Sequence, residues 1–283
     1  YTLWHTLSLH DALPICGLIV TWTIDFYMSY SYRENVARLV LGGAVNTSGS
    51  GPYVHTPALA TKLLNGDVIY EYTDQAEQAN EVFSDRFKNA VATSFSMSVE
   101  SGGALVGTLS GIASERVHAE NGSSLTTVQE TEKIPWTHIQ PELNGTSTYR
   151  IGSFNVDVNA SMDEAPFGMA ASTPQTAEGN FRSGVMDVTW GVRMFADSDT
   201  LAEIGDCNTD WDGTNEITCT NGGAGAAERK LVITLGESYI EGAPRNTAAW
   251  SREPIDVGLH AQHSSGTDVF GLEFTNARTT IPA

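Results

Sequence analysis

Alternation of apolar and polar positions recurs along this chain, and it marks strands that turn one face to a core. In VTWTIDFY, Val20, Trp22, Ile24 and Phe26 share a face. In VATSFSMSVE, Val91, Thr93, Phe95, Met97 and Val99 share one face, while Ala92, Ser94, Ser96 and Ser98 share the other. SGG (101–103) then supplies a turn and ALVGTLSGIA a returning strand, so residues 90–113 read as a β-hairpin. FNVDVN alternates at Phe154, Val156 and Val158, and MDVTWGVRM at Met186, Val188, Trp190, Val192 and Met194. LVITL, IDVGLHA and FGLEF complete the set, the last two joined through QHSSGTD as a second hairpin over 255–275.

Helical signal is thin. YRENVARLVLGG sets Val36, Leu39 and Val40 on one stripe and ends at Gly42, a natural C-terminal cap. DQAEQANEVFSDRF (74–87) is compatible with helix or loop. The expected class is all-β with one or two short helices.

The two halves follow one plan. GLIVTWTIDFYMSYSYRENVARLVLGG runs strand, helix, glycine, and GVMDVTWGVRMFADSDTLAEIG repeats that order. DVIYEYT parallels KLVITLGESYI, and 90–113 parallels 255–275. This predicts two tandem copies of a β unit, residues 16–120 and 149–283, with 121–148 as linker. Short strands make unrelated β proteins look alike, so strand-by-strand equivalence is the test.

TLSLHDALPI (6–15) changes how the front is read. It lacks a basic n-region, and His10 and Asp11 interrupt its apolar run, so it is neither a secretory signal nor a membrane span. Reverse-translated as ACT CTT TCC CTA CAC GAC GCT CTT CCG ATC, it resembles a sequencing-library adapter whose next base would open the Cys16 codon. Residues 1–15 are therefore expected to be a non-native scar and are set aside from fold reasoning.

Charge narrows the function classes. The 283 residues carry 15 Lys+Arg against 34 Asp+Glu, a formal net charge of −19. Lysine occurs only at Lys62, Lys88, Lys133 and Lys230. A protein that grips nucleic acid by neutralising phosphates needs basic patches, which this composition disfavours. An acidic wall past which DNA slides without sticking remains compatible, as does acidity that serves solubility or a salty habitat.

Candidate chemistry is sparse. DCNTDWDGTNEITC (206–219) places Asn208, Asp210, Asp212 and Gly213 at positions 1, 3, 5 and 6 of a calcium loop. Position 12 is then Cys219 rather than glutamate, and an ordinary Asp/Asn/Gly turn accounts for the same letters. Cys207 and Cys219 bracket this loop and could pair; Cys16 stands apart. His260 and His263 fall in or beside a strand at a spacing that turns them to opposite faces. His55, in YVHTP, reads as a hydrogen-bonded structural residue, and Asp163–Glu164 as a solvated acidic turn. The Asn-x-Ser/Thr triplets at Asn46, Asn121, Asn144 and Asn159 are expected by chance in so Ser/Thr/Asn-rich a chain. No nucleophile elbow, phosphate loop or zinc helix occurs, so no catalytic, cofactor or metal residue is assigned and the chain is not expected to be an enzyme.

The order of pieces resembles the tail tube (major tail) proteins of long-tailed bacteriophages. The carrying stretches are RLVLGGAV, GPYVHTPA, the hairpin SMSVESGGALVGTLSGIA and FRSGVMDVTWGVRMFADSDTLAEI, and the likeness spans roughly residues 18–275. The resemblance implies a β-sandwich or half-barrel whose hairpins, here 90–113 and 255–275, line a tube. It implies rings that stack into a conduit for DNA ejection: hexamers, or trimers with pseudo-sixfold symmetry if the internal repeat is real. It further implies tape-measure and terminator proteins as tail partners, no membrane, and residence in the virion after assembly in the host cytoplasm. The chain departs from the family at its front, where the family has a longer N-terminal segment. The alternative is a monomeric surface β-sandwich, an adhesin or carbohydrate-binding module, for which Trp211 beside the acidic loop is the hint. A hydrolase on a jelly-roll scaffold would need an acid/base constellation that the sequence does not display.

Overall fold

In the computed structural model, the structure describes residues 20–31, 33–60, 63–64, 66–73, 82–120, 132–146, 150–160, 186–195, 210–242, 254–262, 269–279 and 281. The elements are β1 (Val20–Tyr27), α1 (Glu34–Leu41), β2 (Gly42–Ser48), β3 (Tyr53–Leu59), β4 (Gly66–Thr73), β5 (Val82–Glu100), β6 (Val106–Ala113), β7 (Glu115–Glu120) and β8 (Ile139–Glu142). They continue with β9 (Ile151–Asn159), β10 (Asp187–Phe195), β11 (Asp210–Trp211), β12 (Asn215–Thr220), β13 (Lys230–Leu235), β14 (Ser238–Gly242), β15 (Pro254–Ala261) and β16 (Phe270–Asn276). The fold is all-β, with one α-helix among the described residues, as the alternation predicts.

Two antiparallel sheets face each other. The larger follows the order β1-β6-β5-β9-β10-β15-β14-β11, and the smaller β2-β3-β16-β13-β12-β8. Each strand turns its apolar set inward: Trp22 from β1, Met97 and Val99 from β5, Val156 from β9, Trp190 and Val192 from β10. These meet Ile217, Leu231, Ile233 and Phe274 of the smaller sheet in one core cluster, and Phe95 meets Phe270 across it with ring centroids 6.4 Å apart. Helix α1 ends where expected, with Gly42 at φ 82° in the left-handed conformation that only glycine adopts freely.

Several expectations are corrected. The hairpin at 90–113 forms, β5 against β6, but the one at 255–275 does not. β15 pairs with β10 and β14 in the larger sheet, and β16 with β13 and β3 in the smaller. The two strands lie in different sheets, because both carry buried faces that the opposite layers need. The parallel between 90–113 and 255–275 is lost with it, as is that between β4, on the β5 arm, and β13, in the other sheet. A bulge between Ala92 and Ser94 flips the start of the strand, so Ala92 joins the core and Val91 packs with Leu63 and Ala160 in a small separate cluster. Residues 82–87 are strand, not helix, forming with β4 and β7 a three-stranded arm on the first half of β5; 74–81 lie outside the described residues. In the segment expected to be linker, β8 pairs with β12, and Ile134 and Leu143 are fully buried.

Strands before and after 121–148 interleave in both sheets: β5 pairs with β9, and β3 with β16. A repeat is nonetheless visible in the larger sheet: it keeps the match of β1 with β10 and replaces that of the 90–113 hairpin. The run β1-β6-β5 recurs as β10-β15-β14. Val20-Thr21-Trp22 opens the first and Val188-Thr189-Trp190 lies at the start of the second. Trp22 faces Gly111 and through it Ala92; Trp190 faces Leu259 and through it Ile240. The hairpin β5–β6 thus has its counterpart in β14–β15.

Candidate functional surface

A strand in a two-layer sandwich shows its second set of side chains to solvent, and in the larger sheet that set forms the functional candidate. From β1 come Thr21, Thr23 and Asp25, exposed and alternating with Trp22, Ile24 and Phe26. The register carries this parity across the sheet: Asp25 opposite Thr108, Thr23 opposite Ser110, then Ser94, Ser96 and Ser98 of β5 opposite Asn159, Asp157 and Asn155 of β9. Beyond lie Asp187, Thr189, Gly191 and Arg193 of β10, then His260, Gly258 and Asp256 of β15, then Tyr239 of β14 and Asp210 of β11. Hydroxyls tie neighbours together: Thr23 Oγ1 lies 3.0 Å from Ser110 Oγ, and Thr108 Oγ1 donates to Asp25 Oδ1 at 2.6 Å.

The charge is one-sided. Asp25, Glu100, Asp157, Asp187, Asp210, Glu241 and Asp256 stand on this face, and among the described residues of these strands (β5 from Val91) Arg193 is the one Lys or Arg turned to it. Arg193 is itself engaged, its Nε 2.8 Å from Asp256 Oδ1, a contact that raises its pKa further. Two shallow grooves of about 310 and 440 Å3 run over this surface, the first walled by Ser94, Ser96, Asp157 and Asp187, the second floored by Gly191, Gly258 and Gly242. Between them sits His260, with Nε2 2.6 Å from Asp187 Oδ1 and Nδ1 2.7 Å from the Tyr239 hydroxyl and 3.1 Å from Glu241 Oε1. Partial burial, with the Glu241 carboxylate beside it, pushes the Tyr239 hydroxyl's pKa up.

The predicted chemistry separates accordingly. Asn208 and Cys207 lie outside the described residues, as do His263, Cys16 and Asp163–Glu164. Asp210 belongs to β11, Asp212 is exposed, and the segment runs into β12 rather than a helix. Its turn is organised by amides: Gly213 N–H donates to Asn144 Oδ1 at 3.0 Å, and Asn215 Nδ2 donates to the Trp211, Gly213 and Gly236 carbonyls. Over its described part, 210–215, this is an Asp/Asn/Gly turn. Cys219 is a fully buried free thiol, its pKa pushed up to about 12 by burial. Among the described residues no cluster of three or more His, Cys, Asp or Glu is arranged to hold a metal. Trp211 is no platform: it is fully buried, its ring 5.8 Å from that of Trp190. Among the described residues no helix is long and apolar enough to cross a membrane.

His55 is the structural residue expected. Its Nδ1 lies 3.0 Å from Thr47 Oγ1 and its Nε2 3.2 Å from Asn276 Oδ1. The network beyond it escapes sequence reasoning. Glu34, fully buried at the start of α1, accepts from Asn276 Nδ2 at 2.7 Å and from Arg278 Nη1 at 3.2 Å. A carboxylate is tolerated there only because these partners replace water, and they come from the far end of the chain. No protein-family model matches the chain, and no curated protein matches it.

Proposed function

We propose that this chain is a non-enzymatic assembly protein, the subunit of a phage-type tail tube, and that the polar face of the larger sheet is the wall of its lumen. The observation that carries the reading is that face: short hydroxyls, amides and carboxylates, with one lysine-or-arginine side chain among the described residues of its strands, neutralised by Asp256, and Lys133 against Tyr27 at the end of β1. Duplex DNA loses affinity for a surface that offers no phosphate-neutralising cations, and like charge keeps it off the wall. The repeated run β1-β6-β5 and β10-β15-β14 favours the ring of three chains, each supplying two units of a pseudo-sixfold wall. Tape-measure and terminator proteins would be its tail partners, and the virion its location.

DNA retention tests this. Asp157→Lys with Glu100→Lys places cations on two exposed outward positions. Assemblies of the natural chain should not retain duplex DNA at 50 mM salt. Those of the double variant should retain it with affinity that falls steeply as salt rises. Strong retention by the natural assembly would refute the lumen assignment. The binding-module alternative has less support, since Trp211, its hint, is buried.

A further inference from the structure

Strand β1 is an edge that nothing in its own sequence protects. Exposed edges invite pairing, and proteins blunt them with proline, lysine, bulges or short strands. β1 is eight residues long, VTWTIDFY, contains no proline or lysine, and pairs with β6 in unbroken register from Val20 to Tyr27. Among the described residues no strand pairs with its other side. The opposite end of the same sheet is the two-residue β11, which among the described residues is the one strand on the outer side of β14.

The repeat indicates what belongs on that edge. The strand equivalent to β1 is β10, and its corresponding side is covered by β9, which also joins β5 of the first run. The last residue of β10, Phe195, sits over Gly152 of β9: a Cβ on Gly152 would lie 3.4 Å from the Phe195 ring. The last residue of β1, Tyr27, holds the matching place and is 43 % exposed, with the Lys133 Nζ 3.6 Å from its ring centroid and its carbonyl accepting from Arg33 Nε at 3.1 Å. The chain thus contains one completed joint, β5 through β9 to β10, and the two halves of another.

We infer that the free side of β1, with Tyr27 as its aromatic anchor, is the docking surface for the β11/β14 edge of a second copy of this chain. Main-chain hydrogen bonds across the new joint supply affinity, as in strand addition generally. The contact is head-to-tail, so it propagates to a closed ring or an open filament. The inference rests on the tube reading and specifies which surfaces meet.

Hydrogen exchange on the full-length chain tests it, comparing residues 20–27 in assembled and monomeric fractions. The outward amides of β1 should exchange at least about tenfold more slowly in the assembly. Tyr27→Asp, at an exposed position, should keep the monomer's circular dichroism and weaken association about tenfold or more. Assemblies whose β1 amides exchange as in the monomer, or a Tyr27→Asp chain that assembles as the natural one does, would overturn the docking surface and leave the tube reading standing. A natural chain that stays monomeric at every concentration would overturn both.

Discussion

Ser238→Ala isolates one consequence of the repeat. In the second run, Trp190 Nε1 donates to Ser238 Oγ at 2.9 Å, and that hydroxyl donates to the Gly236 carbonyl at 2.8 Å, both buried. In the first run the position two residues before Ala92, equivalent to Ser238 two before Ile240, is Ala90, and Trp22 Nε1 is buried with no partner among the described residues. Trp211 Nε1 is likewise buried with no partner among the described residues, so removing the hydroxyl from Ser238 would orphan a third indole N–H. The Gly236 carbonyl keeps a bond from Asn215 Nδ2 at 3.3 Å, so the cost falls on the indole. A buried donor left unsatisfied costs about 1–3 kcal/mol. A loss near 2 kcal/mol shifts the folded-to-unfolded ratio by about thirtyfold. Urea unfolding followed by tryptophan fluorescence should show a lower midpoint at unchanged slope. The converse, Ala90→Ser, offers Trp22 the partner it lacks and should raise the midpoint by about 0.5–1.5 kcal/mol. A Ser238→Ala midpoint equal to that of the natural protein would refute the energetic assignment. A destabilising Ala90→Ser would refute the equivalence of the two sites.

Other expectations follow from single residues. Gly111→Ala would drive a Cβ into the Val91 carbonyl oxygen and the Trp22 ring, overpacking that should cost about 1–3 kcal/mol or more in thermal or urea unfolding. Asp85, in the arm, is held below the usual carboxylate range chiefly by its hydrogen bond from Arg116, with His118 adding to it. A depressed folded pKa means stability present above the unfolded value of about 4 and lost as pH falls through the folded one, so arm amides should lose exchange protection in acid, and Asp85→Asn should remove that dependence. Cys219 should resist alkylation at pH 8 in the folded chain and react after denaturation, as read by peptide mass spectrometry; reaction in the native protein would contradict its burial.

Much of this architecture was legible because a strand's alternation is local information. VTWTIDFY, FNVDVN and MDVTWGVRM each became a strand with the predicted face inward, and RLVLGG stopped its helix at the predicted glycine. What failed was partnership, which is not local. FGLEF reads the same whether it returns beside IDVGLHA or crosses to the other layer, and only its pairing with β13, Leu272 opposite Ile233 and Phe274 opposite Leu231, distinguishes the outcomes. The bulge at Ala92 likewise leaves no trace in an alternating string but exchanges the faces of Val91 and Ala92, putting Ala92 in the main core. The burial of Glu34 leaves no local signal because its partners Asn276 and Arg278 are remote in sequence. The acidic face was half legible: composition announced the charge, but which carboxylates share a surface follows from the strand order.

Solution mass by light scattering, with electron micrographs of the same sample, tests the central claim most directly. The account predicts rings or tubes of sixfold appearance whose mass per ring is that of three chains of 30.4 kDa. A chain that remains monomeric at every concentration would contradict the tube, and rings of six chains would contradict the reading of the repeat as two units per subunit.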